Sequence, residues 1–179
     1  MPFTSEQRGV AIGMTIGALL AFALVGGGIF YNPFSFDGYL TLTERLVVAS
    51  KASLVAAFFA MLAIGRLARH RMLNVADIAG AGLATGTPQA KLLQALLQNT
   101  LEQAFLAVCV YFAWALIMPG TWLSVVPMAA IAFTAGRMLF YRGYQHGPRS
   151  RALGFTLSFY VSATMLVSML VYWVNDQIS

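Results

Sequence analysis

The sequence predicts an all-α integral membrane protein of five transmembrane helices, and three observations lead there. The 179-residue chain has a mean hydropathy of +0.74 and only 9% charged residues, where a soluble domain carries about a quarter. Apolar windows at 9–31, 43–69, 89–118, 122–144 and 152–174 are each about 20 residues or longer, the length that crosses about 30 Å of hydrocarbon at 1.5 Å per residue. The basic residues behind the net charge of +5 gather beside these spans rather than on a solvated face, so topology accounts for them and no nucleic acid is expected as partner.

Taken in order, the first span follows the short mixed-charge stretch MPFTSEQRGV, and no small-residue cleavage site follows within a signal peptide's length. It is read as a retained helix. Gly9, Gly13, Gly17 and Ala21 recur every four residues, which puts small residues on one face and lets another helix approach closely. Thr43 is the expected N-cap of the second span. Lys51, about eight residues from that span's outer end, is expected to snorkel outward. The Gly- and Ala-rich segment 74–88 is expected to be a flexible or partly helical connector, and Thr87 followed by Pro88 opens the third span. Cys109, in the run AFLAVCVYFAW, is expected to be a small buried hydrophobe, and as the single cysteine it excludes an intrachain disulfide. Pro119-Gly120 closes the third span with a turn so tight that the third and fourth helices are expected to form an antiparallel hairpin. Ser150 is the expected N-cap of the fifth.

Cations cluster at Arg66, Arg69, Arg71 and Lys91 around the second connection and at Arg142, Arg149 and Arg151 in the fourth, while the third has none. The positive-inside rule makes those two connections and the N-terminus cytoplasmic and the C-terminus external. Tyr31, Tyr39, Trp122, Tyr172 and Trp173 then fall at the outer interface, where an aromatic belt belongs.

Charges inside spans are the informative residues, because an ionisable group in hydrocarbon is costly and normally faces the bundle interior or a partner. Counted from the turn at Gly120, Glu102 and Arg137 lie at equal depth, each about 27 Å from the outer surface. Their pairing would offset part of the desolvation of each. Asn99 shares a helical face with Glu102, and Tyr141 and Tyr144 share one with Arg137. The expectation is a polar pocket at the cytoplasmic boundary lined by Asn99, Glu102, Arg137 and Tyr144. Arg149 and Arg151 crowd the start of the fifth helix, where the macrodipole disfavours cations unless an anion is bound. Contact with anionic lipid headgroups is the competing reading of that basic cup, and His146 reads as an ordinary loop histidine. No metal-ligand or nucleotide motif is present.

These residues resemble the MAPEG family, the membrane-associated proteins in eicosanoid and glutathione metabolism, in a bacterial-type form with an extra N-terminal helix. The likeness rests on NTLE, Asn99 to Glu102, matching the family's N-x-x-E, and on GRMLFYRGY, Gly136 to Tyr144, followed by further arginines. It covers roughly residues 43–175. The resemblance implies a four-helix bundle at 43–179 preceded by an added helix and outer loop at 1–42, homotrimers, and an inner-membrane location. It also implies glutathione bound at the cytoplasmic side between subunits. Asn99 and Glu102 then correspond to positions holding the glutamyl end, Arg137 and Tyr144 to lining positions, and Arg151, with Arg149 as substitute, to the arginine stabilising the thiolate. Arg66, Arg69 and Arg71 compete for a further arginine position. Ala95, Gln103 and Phe140 depart from the pattern, and Tyr141 is the candidate substitute at the last of these.

The implied function is a glutathione-dependent transferase or peroxidase acting on small lipophilic electrophiles, with no metal. The alternative is a noncatalytic scaffold or lipid- and anion-binding protein of the same fold. A transporter is disfavoured, because the chain lacks a paired half-helix pattern and has few ionisable residues near midplane.

Overall fold

The computed structural model describes residues 3–80 and 86–178. Five long helices dominate: α1 (Ser5–Tyr31), α2 (Leu42–Leu73), α3 (Pro88–Ile117), α4 (Val125–Gly143) and α5 (Pro148–Ile178). All five regions are long and apolar enough to cross a membrane, α4 together with its flanking short turns. Part of the second connection, 81–85, lies outside the described residues; its start folds as a 3-10 turn, Val75–Asp77.

The helix starts follow local chemistry. Thr4 and Gln7 form a reciprocal capping box at α1, as do Thr41 and Glu44 at α2. The cap of α2 is therefore Thr41 and not the expected Thr43, because only Thr41 has a glutamate three residues on to close the box. Thr87 caps α3 through the Ala90 N–H, with Pro88 at the first helical position. Helix α5 also begins earlier than expected. Gly147 takes φ of 95° and Pro148 starts the helix, so Ser150 sits inside it and bonds back to the His146 carbonyl. Arg149 and Arg151 remain within the first turn.

The packing order differs from the chain order. The intimate pairs are α2 with α3, α4 with α5 and α1 with α5, whereas α3 and α4 splay apart beyond their tight turn. The hairpin expected from Pro119-Gly120 is thus a loosely packed pair, joined away from its turn by side-chain hydrogen bonds from α4 to Asn99 and Thr100. Helices α4 and α5 touch backbone to backbone: a Cβ on Gly154 would lie 2.3 Å from the Phe140 nitrogen. The small-residue face of α1 meets α5 in the same way, with the Gly17 position against Thr156 and Gly9 against the aliphatic stem of Arg149.

The central core is aromatic and small-residue in character, built on Trp114, Tyr111, Phe133 and Met165, with Trp114 donating to the Trp122 carbonyl at 3.0 Å. At the end opposite the arginines, Asn32 bonds Phe36 and Ser124, tying the α1–α2 loop to the α3–α4 turn, and Arg45 donates to the Met118 carbonyl. Lys51 is exposed on α2. Cys109 is exposed rather than buried: it lies on the outward face of α3, where an apolar thiol is as compatible with lipid as with a core.

Candidate functional site

The arginine-rich end of the bundle holds a cavity of about 430 Å³, within the size range of small-molecule sites. Asn99 reaches it from α3, Phe140 and Tyr144 from the end of α4, and Arg151, Ala152, Phe155, Thr156 and Tyr160 from α5. Three residues expected at the site from sequence, Asn99, Tyr144 and Arg151, therefore line one space.

Each is placed by a distinct device. The Gly147 turn and early helix start put Arg151 one turn into α5, where its guanidinium stands over the Tyr144 ring, 4.4 Å from the centroid. Tyr144 in turn packs edge-on against Phe140, 5.2 Å between centroids. Asn99 is held from behind by Arg137, whose Nη1 donates to its Oδ1 at 2.8 Å. That bond uses the amide oxygen and leaves the amide nitrogen as the side chain's donor.

Arg137 is itself fully buried and does not line the cavity. Its Nη2 donates to Ser158 Oγ at 2.6 Å, and its guanidinium stacks on Phe140, 4.6 Å from the centroid. Nε has no hydrogen-bond partner among the described residues. The expected pairing with Glu102 is not made. Glu102 is exposed on α3 and accepts from Gln98 at 2.8 Å. Equal depth does not make a pair: Glu102 points away from Arg137, and the neutral oxygens of Asn99 and Ser158 take its place around the guanidinium.

The remaining expected residues separate as well. Tyr141 does not line the cavity that Phe140 lines: its hydroxyl bonds Thr100 at 2.9 Å, and its ring carries the Arg66 guanidinium at 5.8 Å on the α2 side. One residue is a 100° rotation on a helix, so adjacent positions cannot serve the same face. Arg66 and Arg69 line a second cavity of about 270 Å³ with His70, Asn74 and Gln89. Arg149 is exposed, its stem against Gly9, and does not reach the cavity of Arg151.

Beside that second cavity lies a polar network that sequence reasoning missed. Asp77 is 2% exposed. It accepts from the Thr87 hydroxyl at 2.6 Å, the Thr87 N–H at 2.7 Å and His70 Nε2 at 2.9 Å, and Asn74 bonds the far side of His70. The Thr87 bonds, with a smaller contribution from His70, hold the Asp77 carboxyl below its ordinary value despite burial. The network locks the end of α2 to the start of α3.

Also missed were Ser158 and two residues of α1, Val10 and Met14, which complete the wall of the first cavity. Val10 and Met14 each follow a glycine of the small-residue stripe by one position, so the edge of that stripe was the available signal.

The sequence profile of the MAPEG family matches residues 46–171. The chain belongs to the MAPEG family. The match runs from α2 through α5 and leaves α1 outside it. Within the matched region, Asn99, Tyr144 and Arg151 stand around one cavity, with Phe140 as an apolar wall. Neither a curated protein nor a solved structure matches the chain.

Proposed function

We propose that this MAPEG protein is a glutathione-dependent transferase or peroxidase that acts on lipophilic electrophiles at the cytoplasmic membrane boundary. The observation that carries the reading is the convergence of Arg151, Tyr144 and the Asn99 amide on one cavity with an apolar wall. That donor set fits the co-substrate. A carboxylate or thiolate is accepted by a guanidinium and an amide N–H, and the phenol can donate as well.

A free thiol of pKa about 8.5 is mostly protonated at neutral pH, and a fixed cation favours the thiolate. Arg151 supplies that cation, and stacking on Tyr144 restricts where it points. Asn99, braced by Arg137, orients the peptide, and the aromatic wall excludes water. In the transferase reaction the sulfur forms a bond to the electrophilic carbon, while the displaced electron pair leaves with the departing group or moves onto a conjugated carbonyl.

Glu102, Arg66 and Arg69 stand on other faces of the protomer. Homotrimers of the family type would set those faces against a neighbour, and this assembly is part of the proposal, as are the division at residue 42 and the inward N-terminus.

A specific observation favours a second reading. With Phe140 in place of a tyrosine and Glu102 turned outward, one protomer builds a basic pocket without the full glutathione grip. That suits a noncatalytic protein holding anionic lipid headgroups.

The deciding experiment uses purified protein in detergent. Millimolar glutathione is expected to raise the melting temperature, chlorodinitrobenzene to be conjugated, and Arg151→Ala to lose the thiolate absorbance while still binding the peptide. No shift and no turnover would sink the enzyme reading; binding without turnover would establish the second.

A further inference from the structure

Two cavities lie along one seam. The first holds Arg151; the second, about 450 Å³, is bounded by Ala18, Phe22, Val25, Gly26 and Ile29 of α1 and by Val167 and Ser168 among others on α5. Tyr160 lines both, so they adjoin along the α1–α5 contact, with α3 and the end of α4 adding to the wall of the first alone. From Arg151 to Ser168 the seam runs 17 residues, about 25 Å. Its charge is confined to one end: Arg151 with Tyr144 and Asn99. Beyond Tyr160 the lining is apolar apart from Thr164 and Ser168. Together they make a long groove that carries its one charged residue at one end.

We infer that α1, which lies outside the family match, is part of the acceptor site, with Val10 and Met14 as specificity-determining residues, and that the α1–α5 seam selects unbranched-chain electrophiles whose tail passes Tyr160 into the second cavity. The inference rests on the transferase reading above. The occupant follows from shape and polarity together. A compact bicyclic molecule would fill the first cavity and leave the second empty, whereas an unbranched chain with a reactive head uses both. The close approach of Gly9, Gly13 and Gly17 to α5 keeps the seam from opening to two chains.

A matched pair of glycines makes the test clean. A Cβ on Gly26 or on Gly27 meets nothing within 4 Å, so a side chain can leave the backbone at either position without strain. Only Gly26 lines the second cavity. The substrates are but-2-enal, oct-2-enal and dodec-2-enal with glutathione. In each, the thiolate sulfur bonds the β-carbon, the alkene pair shifts onto the carbonyl oxygen, and the thiol's proton ends on the α-carbon.

The wild type is expected to show kcat/KM rising with chain length. Gly26→Leu should lower the dodec-2-enal to but-2-enal ratio about tenfold or more, Met14→Trp should lower it too, and Gly27→Leu should keep the wild-type ratio. In a second arm, without glutathione, a photoreactive dodecyl diazirine in detergent is expected to label residues 10–29 and 160–168, with labelling reduced by Gly26→Leu alone of the glycine pair. Turnover with no chain-length dependence, or labelling spread evenly over the outward faces of all five helices, overturns the inference and leaves the enzyme reading standing. Seam labelling with no turnover of any alkenal overturns the enzyme reading and leaves the seam as a chain-binding site.

Discussion

Replacing Gly17 by alanine adds one methyl group to the most tightly closed point of the α1–α5 contact. The new Cβ would lie 2.2 Å from Thr156 Oγ1 and 2.6 Å from Thr156 Cβ, both well short of the 3.4 Å of ordinary contact. Thr156 cannot swing away cheaply. It is 2% exposed, β-branched, and its hydroxyl is engaged with the carbonyls of Gly13, Ala152 and Leu153. The helices must therefore move apart, an overpacking cost of about 1–3 kcal/mol. For a chain of this size that corresponds to a melting temperature lower by about 2–12 °C. Gly27→Ala on the same helix meets nothing within 4 Å and gains helix propensity, so its melting temperature should be unchanged or higher. The double variant Gly17→Ala/Thr156→Gly should recover part of the loss, since the two sites couple directly. The assay is thermal unfolding in one detergent, followed by circular dichroism. Equal behaviour of Gly17→Ala and Gly27→Ala, or no recovery in the double variant, would refute steric closure as the reason for the glycine stripe.

Asn99→Leu removes an acceptor from a buried guanidinium and should cost about 1.5–3 kcal/mol in chemical or thermal unfolding. Arg137→Met, which removes the charge and keeps the volume, should hold stability within about 1 kcal/mol of wild type while weakening glutathione binding through a mobile Asn99, measured by calorimetry. Because the Asp77 carboxyl is held low in the fold, its contribution is full above the ordinary carboxylate value of about 4 and is lost as pH falls through the lowered one. The melting-temperature gap between wild type and Asp77→Asn should accordingly be wide at pH 6 and close towards pH 3. Tyr144→Ala should release Arg151 from its ring and lower chlorodinitrobenzene turnover, whereas Tyr144→Phe should retain most of it, which steady-state kinetics would read directly.

The spans, the Thr87-Pro88 start and the stripe at Gly9, Gly13 and Gly17 were legible because each depends on neighbours within a few residues or on a fixed helical period. Depth was legible too, since Glu102 and Arg137 can be counted from one turn. Rotation was not. Whether Glu102 faces Arg137 depends on which helix α3 chooses as partner, and α3 chose α2. The same ignorance of azimuth put Tyr141 forward where Phe140 lines the cavity. Arg151 and Arg149 stand about 200° apart on α5, and the packing of α1 on the Arg149 stem fixes which of the two turns to the cavity. The Asp77 network spans a connector whose composition suggested a flexible or partly helical segment, and its members come together only through the closure of that loop.

The contact between α1 and α5 also sets a timetable for biogenesis. Gly13 accepts from Thr156 across 143 residues of chain, so the first helix enters the bilayer long before its partner is made. At translation rates of about 5–20 residues per second, that interval is about 7–30 s. Throughout it the glycine face of α1 is presented to lipid, or to whatever insertion factor shelters it. The first span of this protein waits for the last, and nascent chains arrested before α5 would carry α1 as an unpartnered helix that a crosslinker of membrane chaperones can catch.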